Sequence, residues 1–114
     1  MRERRQHLRT TTPVLVEFVN PHTTKPERSF TQDVSEAGLR FPTSAKLHVG
    51  DQLSLALSVP FQNSTIRTNG RVTWVREIAR LGGVQYEIGL QFAWIEDPDR
   101  QRLAHTLQTF TPPR

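Results

Sequence analysis

Apolar side chains recur at every second position in several short stretches of the chain, the period of a strand with one buried face. Val14, Val16 and Phe18 alternate with Leu15 and Glu17. Leu53, Leu55, Leu57 and Val59 alternate with Gln52, Ser54, Ala56 and Ser58. Further on, Ile66, Thr68, Gly70, Val72 and Trp74 share a face opposite Arg67, Asn69, Arg71 and Thr73. Gly70 in mid-strand predicts a bulge or sharp bend there. The cleanest alternation sets Val84, Tyr86, Ile88, Leu90 and Phe92 against Gln85, Glu87, Gly89 and Gln91. Residues 28–34 and a segment beginning at 39–41 supply two less regular strands. Turn-forming clusters separate these runs: Asn20-Pro21-His22, Lys25-Pro26, His48-Val49-Gly50-Asp51, Pro60 with Gln62-Asn63-Ser64, and Gly82-Gly83. Six short strands punctuated this way predict a small antiparallel sandwich or barrel.

One helix is expected to close the chain. Asp97 suits the N-cap, Pro98 the first helical position, and Asp99 complements the helix dipole. Leu103, Leu107 and Phe110 then fall at helical spacing, facing the barrel, before Thr111-Pro112-Pro113 ends the helix. Trp94, at the end of the last strand, is expected to plug the barrel against that helix.

At 114 residues the chain reads as one domain with room for a real core. It has no cysteine, which excludes disulfides, thiolate chemistry and cysteine metal sites. No stretch approaches the roughly 18 apolar residues that cross a bilayer, and the N-terminus carries no apolar signal core. A soluble cytoplasmic protein without membrane insertion is expected. His7, His22, His48 and His105 lack metal-ligand spacing, and the nearest carboxylate pair, Asp97 and Asp99, belongs to the helix cap. No catalytic set emerges, so an enzyme is not expected.

Charge is unevenly placed. Thirteen of the fifteen basic residues are arginine, and residues 1–9 hold four arginines against one glutamate, +3 of the total +4. Arginine grips phosphate with a planar fork and stacks on bases. A basic arm over residues 1–12, followed by a barrel and helix over 13–114, therefore points to an anionic partner.

Two motifs give that partner more definition. Arg5 and Arg9 are spaced RxxxR, a weak signal alone because Arg67/Arg71 and Arg76/Arg80 repeat it. Asp33-Val34-Ser35-Glu36-Ala37-Gly38, continuing into Leu39-Arg40-Phe41, is sharper. Asp and Ser can bond nearby backbone in a tight turn between two strands, and Gly38 can take positive φ without a steric cost.

In this combination the chain resembles the PilZ domain family, bacterial receptor modules for the second messenger cyclic di-GMP. An RxxxR arm and a [D/N]xSxxG turn are both present intact, and Gly70-Arg71-Val72-Thr73-Trp74 and Ile88-Gly89-Leu90-Gln91-Phe92 are similar to the family's later strands. The resemblance implies an all-β fold: a small six-stranded antiparallel barrel with a flexible N-terminal arm and a C-terminal helix. It implies cyclic di-GMP as ligand, no other cofactor and no metal. Arg5 and Arg9 would wrap the dinucleotide, meeting guanine N7 and O6 or stacking on the base and reaching the phosphates. Asp33 would accept from the guanine ring N–H and amine, Ser35 would bond phosphate or guanine, and Gly38 would let ligand approach the backbone. Arg40 should share a face with Gly38 and add a stacking contact, and Arg4 a phosphate contact. An arm ordered by ligand would change the surface shown to an effector protein. Motility, pili, exopolysaccharide and virulence are the family's settings. A monomer or a ligand-linked dimer is compatible with the sequence.

Two rivals remain open. A PilZ-like adaptor could have lost its ligand and kept only a protein partner. A small barrel could instead bind single-stranded nucleic acid, but that needs exposed aromatics. Tyr86, Phe92 and Trp74 fall on apolar faces and are expected in the core, so no nucleic-acid polymer is expected.

Overall fold

The structure is a computed structural model, and it describes residues 9–10, 13–58, 65–94 and 101. Among the described residues eight strands form: β1 (Arg9–Thr10), β2 (Leu15–Val19), β3 (Pro26–Phe30), β4 (Asp33–Ser35), β5 (Gly38–Thr43), β6 (Gln52–Ser58), β7 (Thr65–Arg80) and β8 (Gly83–Trp94). They make one antiparallel sheet in the order β1-β4-β5-β8-β7-β6-β2-β3. The sheet curls into a half-barrel that brings β3 alongside β5. There the Ser29 hydroxyl donates to the Pro42 carbonyl and the Gln32 amide donates to the Arg40 carbonyl.

The alternation places the core as expected on most strands. Val16, Phe18, Leu39, Phe41, Leu53, Leu55, Leu57, Ile66, Val72, Ile88 and Leu90 are buried in one cluster, with the Phe18 and Phe41 rings 5.5 Å apart. The six expected strands become eight paired segments among the described residues. The arm contributes β1, and the strand read over 28–34 breaks at Thr31-Gln32 into β3 and β4. Thr31 spends its side chain on the break: its amide donates to the Val14 carbonyl while its hydroxyl accepts from the Val14 amide.

Two irregularities interrupt the β7–β8 ladder. Asn69 faces Trp94 but Gly70 faces Phe92, so the ladder is irregular beside Gly70, with the extra residue, Ala93, on β8 and not on the strand where the bulge was expected. Val72 faces Leu90 but Trp74 faces Gly89, leaving Thr73 as an extra residue on β7. A one-residue insertion reverses side-chain parity beyond it. Trp74 is therefore not in the core as expected. It stands 40% exposed on the outer face.

Tyr86 and Phe92 do pack against the core, half-buried. Val84 is exposed, because β8 before Tyr86 has left β5 behind and pairs with β7 alone. The expected helix of Asp97 to Phe110, Gln101 aside, and the Trp94 side chain lie outside the described residues. Among those residues no helix is long and apolar enough to cross a membrane.

Candidate functional site

The DxSxxG segment folds as a two-residue turn joining β4 to β5. Val34 pairs with Leu39, and both are buried. Asp33 and Ser35, one residue either side of Val34, thereby take the outer face. The Ser35 hydroxyl accepts the Ala37 amide at 3.1 Å, and the Ala37 carbonyl accepts the Phe92 amide at 2.9 Å, pinning the turn to β8.

Gly38 is required there by a close approach and not by the positive φ that glycine permits. Positive φ occurs at Gly50, Gly82 and Gly83, not at Gly38. What constrains Gly38 is β8: a Cβ would overlap the Leu90 carbonyl oxygen and crowd the Gln91 Cα.

Register then assembles the site. Asp33 lies opposite Arg40, Arg40 opposite Gly89, and Gly89 opposite Trp74, one transverse row across β4, β5, β8 and β7. In the adjacent row Gly38 lies opposite Gln91. β1 pairs antiparallel with β4, setting Arg9 opposite Ser35, so the two motifs meet along one strand edge. Of the arm's arginines, Arg9 enters through its backbone, and Arg4 and Arg5 lie outside the described residues.

A cleft of about 390 Å³ opens on this face, lined by Asp33, Ser35, Gly38, Arg40, Trp74 and Gln91 among others. Arg40 Nη2 lies 2.9 Å from Asp33 Oδ2. Behind it, Glu87 is buried with its Oε2 3.9 Å from Arg40 Nη1, while Glu87 Oε1 accepts from Arg76 Nη2 at 2.6 Å. Gly89 lets the Trp74 indole lie against the strand, since a Cβ would overlap the ring. The floor therefore offers a carboxylate, a guanidinium, a hydroxyl and an aromatic face. Those are groups suited to a guanine's edge and its flat surface.

The DxSxxG motif singled out Asp33, Ser35 and Gly38, and alternation put Arg40 on the face of Gly38, but Trp74 and Glu87 were missed. A single bulge residue decides where Trp74 points, and period-two patterning carries no mark of it. Glu87 sits on the polar phase of β8, where burial is not expected of a carboxylate.

Similar folds occur in solved structures. Inhibitor of motility (MotI/DgrA) of Bacillus subtilis superposes with a TM-score of 0.75 at 21% identity, over 94% of this chain and 51% of that one. The PilZ domain of YcgR from Escherichia coli, in a structure with c-di-GMP, gives 0.73 at 13% identity, over 95% and 92%. K. pneumonia MrkH in its c-di-GMP complex gives 0.74 at 18% identity, over 93% and 52%. The chain thus spans about half of MotI/DgrA and of MrkH. No curated protein sequence matches it. The sequence profile of the PilZ domain matches residues 3–108, nearly the whole chain, and the chain belongs to the PilZ domain family.

Proposed function

We propose that this domain is a cyclic di-GMP receptor that reports the ligand to a protein partner. The observation that carries the reading is the outer-face row of Asp33, Arg40, Gly89 and Trp74, with Ser35 and Gly38 beside it and the backbone of Arg9 paired onto β4. Its cleft falls within the roughly 300–1,000 Å³ usual for ligand sites. Two of the similar structures, those of YcgR and MrkH, contain c-di-GMP.

In this reading one guanine places its ring N–H and amine on Asp33, with Trp74 and Arg40 against its faces. Ser35 donates to a phosphate or to guanine O6 or N7, and Gly38 keeps the backbone open to the ligand. Arg5 and Arg9 clamp the dinucleotide from the arm, and Arg4 adds a phosphate contact. The domain acts by binding rather than by catalysis, in the cytoplasm, as a monomer or a ligand-linked dimer. The arm's rearrangement is what a partner governing motility, pili, exopolysaccharide or virulence would read.

Trp74 was expected in the core, and its exposure weakens one objection to a polynucleotide ligand. Salt separates the two readings. A single-strand binder contacts many phosphates and loses affinity steeply with salt, whereas a dinucleotide offers two.

Calorimetric titration with cyclic di-GMP, with GMP and a generic oligonucleotide as controls, is the test. Specific micromolar or tighter binding of the dinucleotide is expected, weakened roughly tenfold or more in Arg9→Ala with an unchanged fold. Retained affinity in Arg9→Ala removes the clamp. No binding by the wild type favours the adaptor reading.

A further inference from the structure

Glu87 is a buried carboxylate outside both motifs, yet it faces two arginines that reach it from different strands. Its Oε1 is held by Arg76 Nη2 at 2.6 Å from β7, and its Oε2 stands 3.9 Å from Arg40 Nη1 on β5. Its side chain is 5% exposed against 66% for Arg76. Arg40 has a close carboxylate in front, Asp33 at 2.9 Å, and a looser one behind. Among the described residues Arg40 Nε is buried with no hydrogen-bond partner. Its present seat on Asp33 therefore leaves one donor unmet.

A guanine that binds both carboxylate oxygens of Asp33 competes with Arg40 for Oδ2. A guanidinium stripped of its counter-charge in a partly desolvated cleft opposes that exchange. Glu87 lies just beyond hydrogen-bonding distance of the same guanidinium, so a small shift of Arg40 replaces one carboxylate with another. Arg76 fixes the carboxylate that Arg40 moves onto.

We propose that Glu87 is a positioning residue of the ligand site. It holds Arg40 as Asp33 is handed to the incoming base, and Arg76 anchors it from β7. The proposal rests on the cyclic di-GMP reading of the cleft, and it extends that site to the outer row of β8 and β7. Glu87 touches no ligand in this arrangement; its effect on binding passes through Arg40.

The test pairs Glu87→Gln, which keeps shape and removes charge, with Arg40→Ala in a double-mutant cycle read by cyclic di-GMP titration. Glu87→Gln alone weakens binding on the order of fivefold or more. In the Arg40→Ala background the same change costs less than about twofold. An equal loss in both backgrounds means a merely structural role and overturns the proposal, as does wild-type affinity in Glu87→Gln. A second measurement needs no ligand. The Arg40 Nε–Hε resonance should shift in Glu87→Gln relative to the wild type, and an unchanged resonance overturns the proposal. Wild-type protein that binds no dinucleotide refutes the receptor reading, and the arginine resonance still decides whether Glu87 positions Arg40.

Discussion

Gly38 shows how much of a site can rest on a missing methyl group. The turn that carries Asp33 and Ser35 approaches β8 closely enough for the Ala37 carbonyl to accept the Phe92 amide. A Cβ at Gly38 would overlap the Leu90 carbonyl oxygen, a backbone atom with no rotamer to yield. Gly38→Ala must push β5 from β8 where Leu39 and Leu90 pair in the core. Overpacking of this kind costs about 1–3 kcal/mol. Urea denaturation should show a loss of about that size, together with weakened dinucleotide binding. A variant as stable as the wild type would mean that the strands separate freely at this point. Recognising the motif located the glycine. It did not reveal that crowding, rather than a left-handed turn, demands it.

At the scale of the strand, the β7–β8 pair decides which side chains line the cleft. Thr73 is the extra residue that turns Trp74 outward, and Gly89 opposite gives the indole its resting place. Loss of one base–aromatic stack costs about 1–3 kcal/mol, so Trp74→Ala should weaken cyclic di-GMP binding by roughly tenfold. Gly89→Ala should produce a similar loss without touching Trp74 chemically, because the new methyl displaces the ring. The Trp74→Ala/Gly89→Ala double variant should bind no worse than Trp74→Ala alone. Additive losses, measured by the same titration, would show that Gly89 matters for something other than the ring. The alternation of Val14, Val16 and Phe18, or of Leu53, Leu55 and Leu57, was legible because one face of each strand meets the core without interruption. Trp74 was not, since a bulge is a property of two strands in register and leaves no trace in one strand's periodicity. The break between β3 and β4 escaped for a related reason: Thr31 fills it with a side-chain hydrogen bond to Val14, a residue far away in sequence.

At the scale of the whole molecule, the antiparallel pairing of β2 with β6 sets the loop after β2 beside the turn before β6. His22 Nε2 lies 2.7 Å from Asp51 Oδ2, the His48 amide donates to the same oxygen at 2.8 Å, and the two imidazoles meet edge to face at 4.6 Å. The Asp51 backbone also accepts from the Val72 amide, while Val72 in turn accepts from Gly50. The cluster thus fastens two loops to β7 beside the bulge. Burial pushes the Asp51 carboxyl up, but the His48 amide, the His22 ring and the charge of both imidazoles outweigh it and hold its pKa below the usual carboxylate value. A depressed folded-state pKa means the unfolded chain binds the proton more readily. The contribution is therefore complete above the ordinary carboxylate range near 3.8 and is lost as pH falls through the lower folded-state value. Asp51→Asn should be less stable than the wild type at neutral pH, with the difference shrinking as acid protonates the wild-type carboxylate. Thermal melts at matched ionic strength from neutral pH down to about pH 2.5 read this directly. Parallel acid limbs in the two proteins would show that Asp51 joins the loops by hydrogen bonds alone. Because the cluster lies outside the cleft, cyclic di-GMP affinity should survive the substitution at neutral pH, separating what ties these loops to β7 from what shapes the cleft on the outer face.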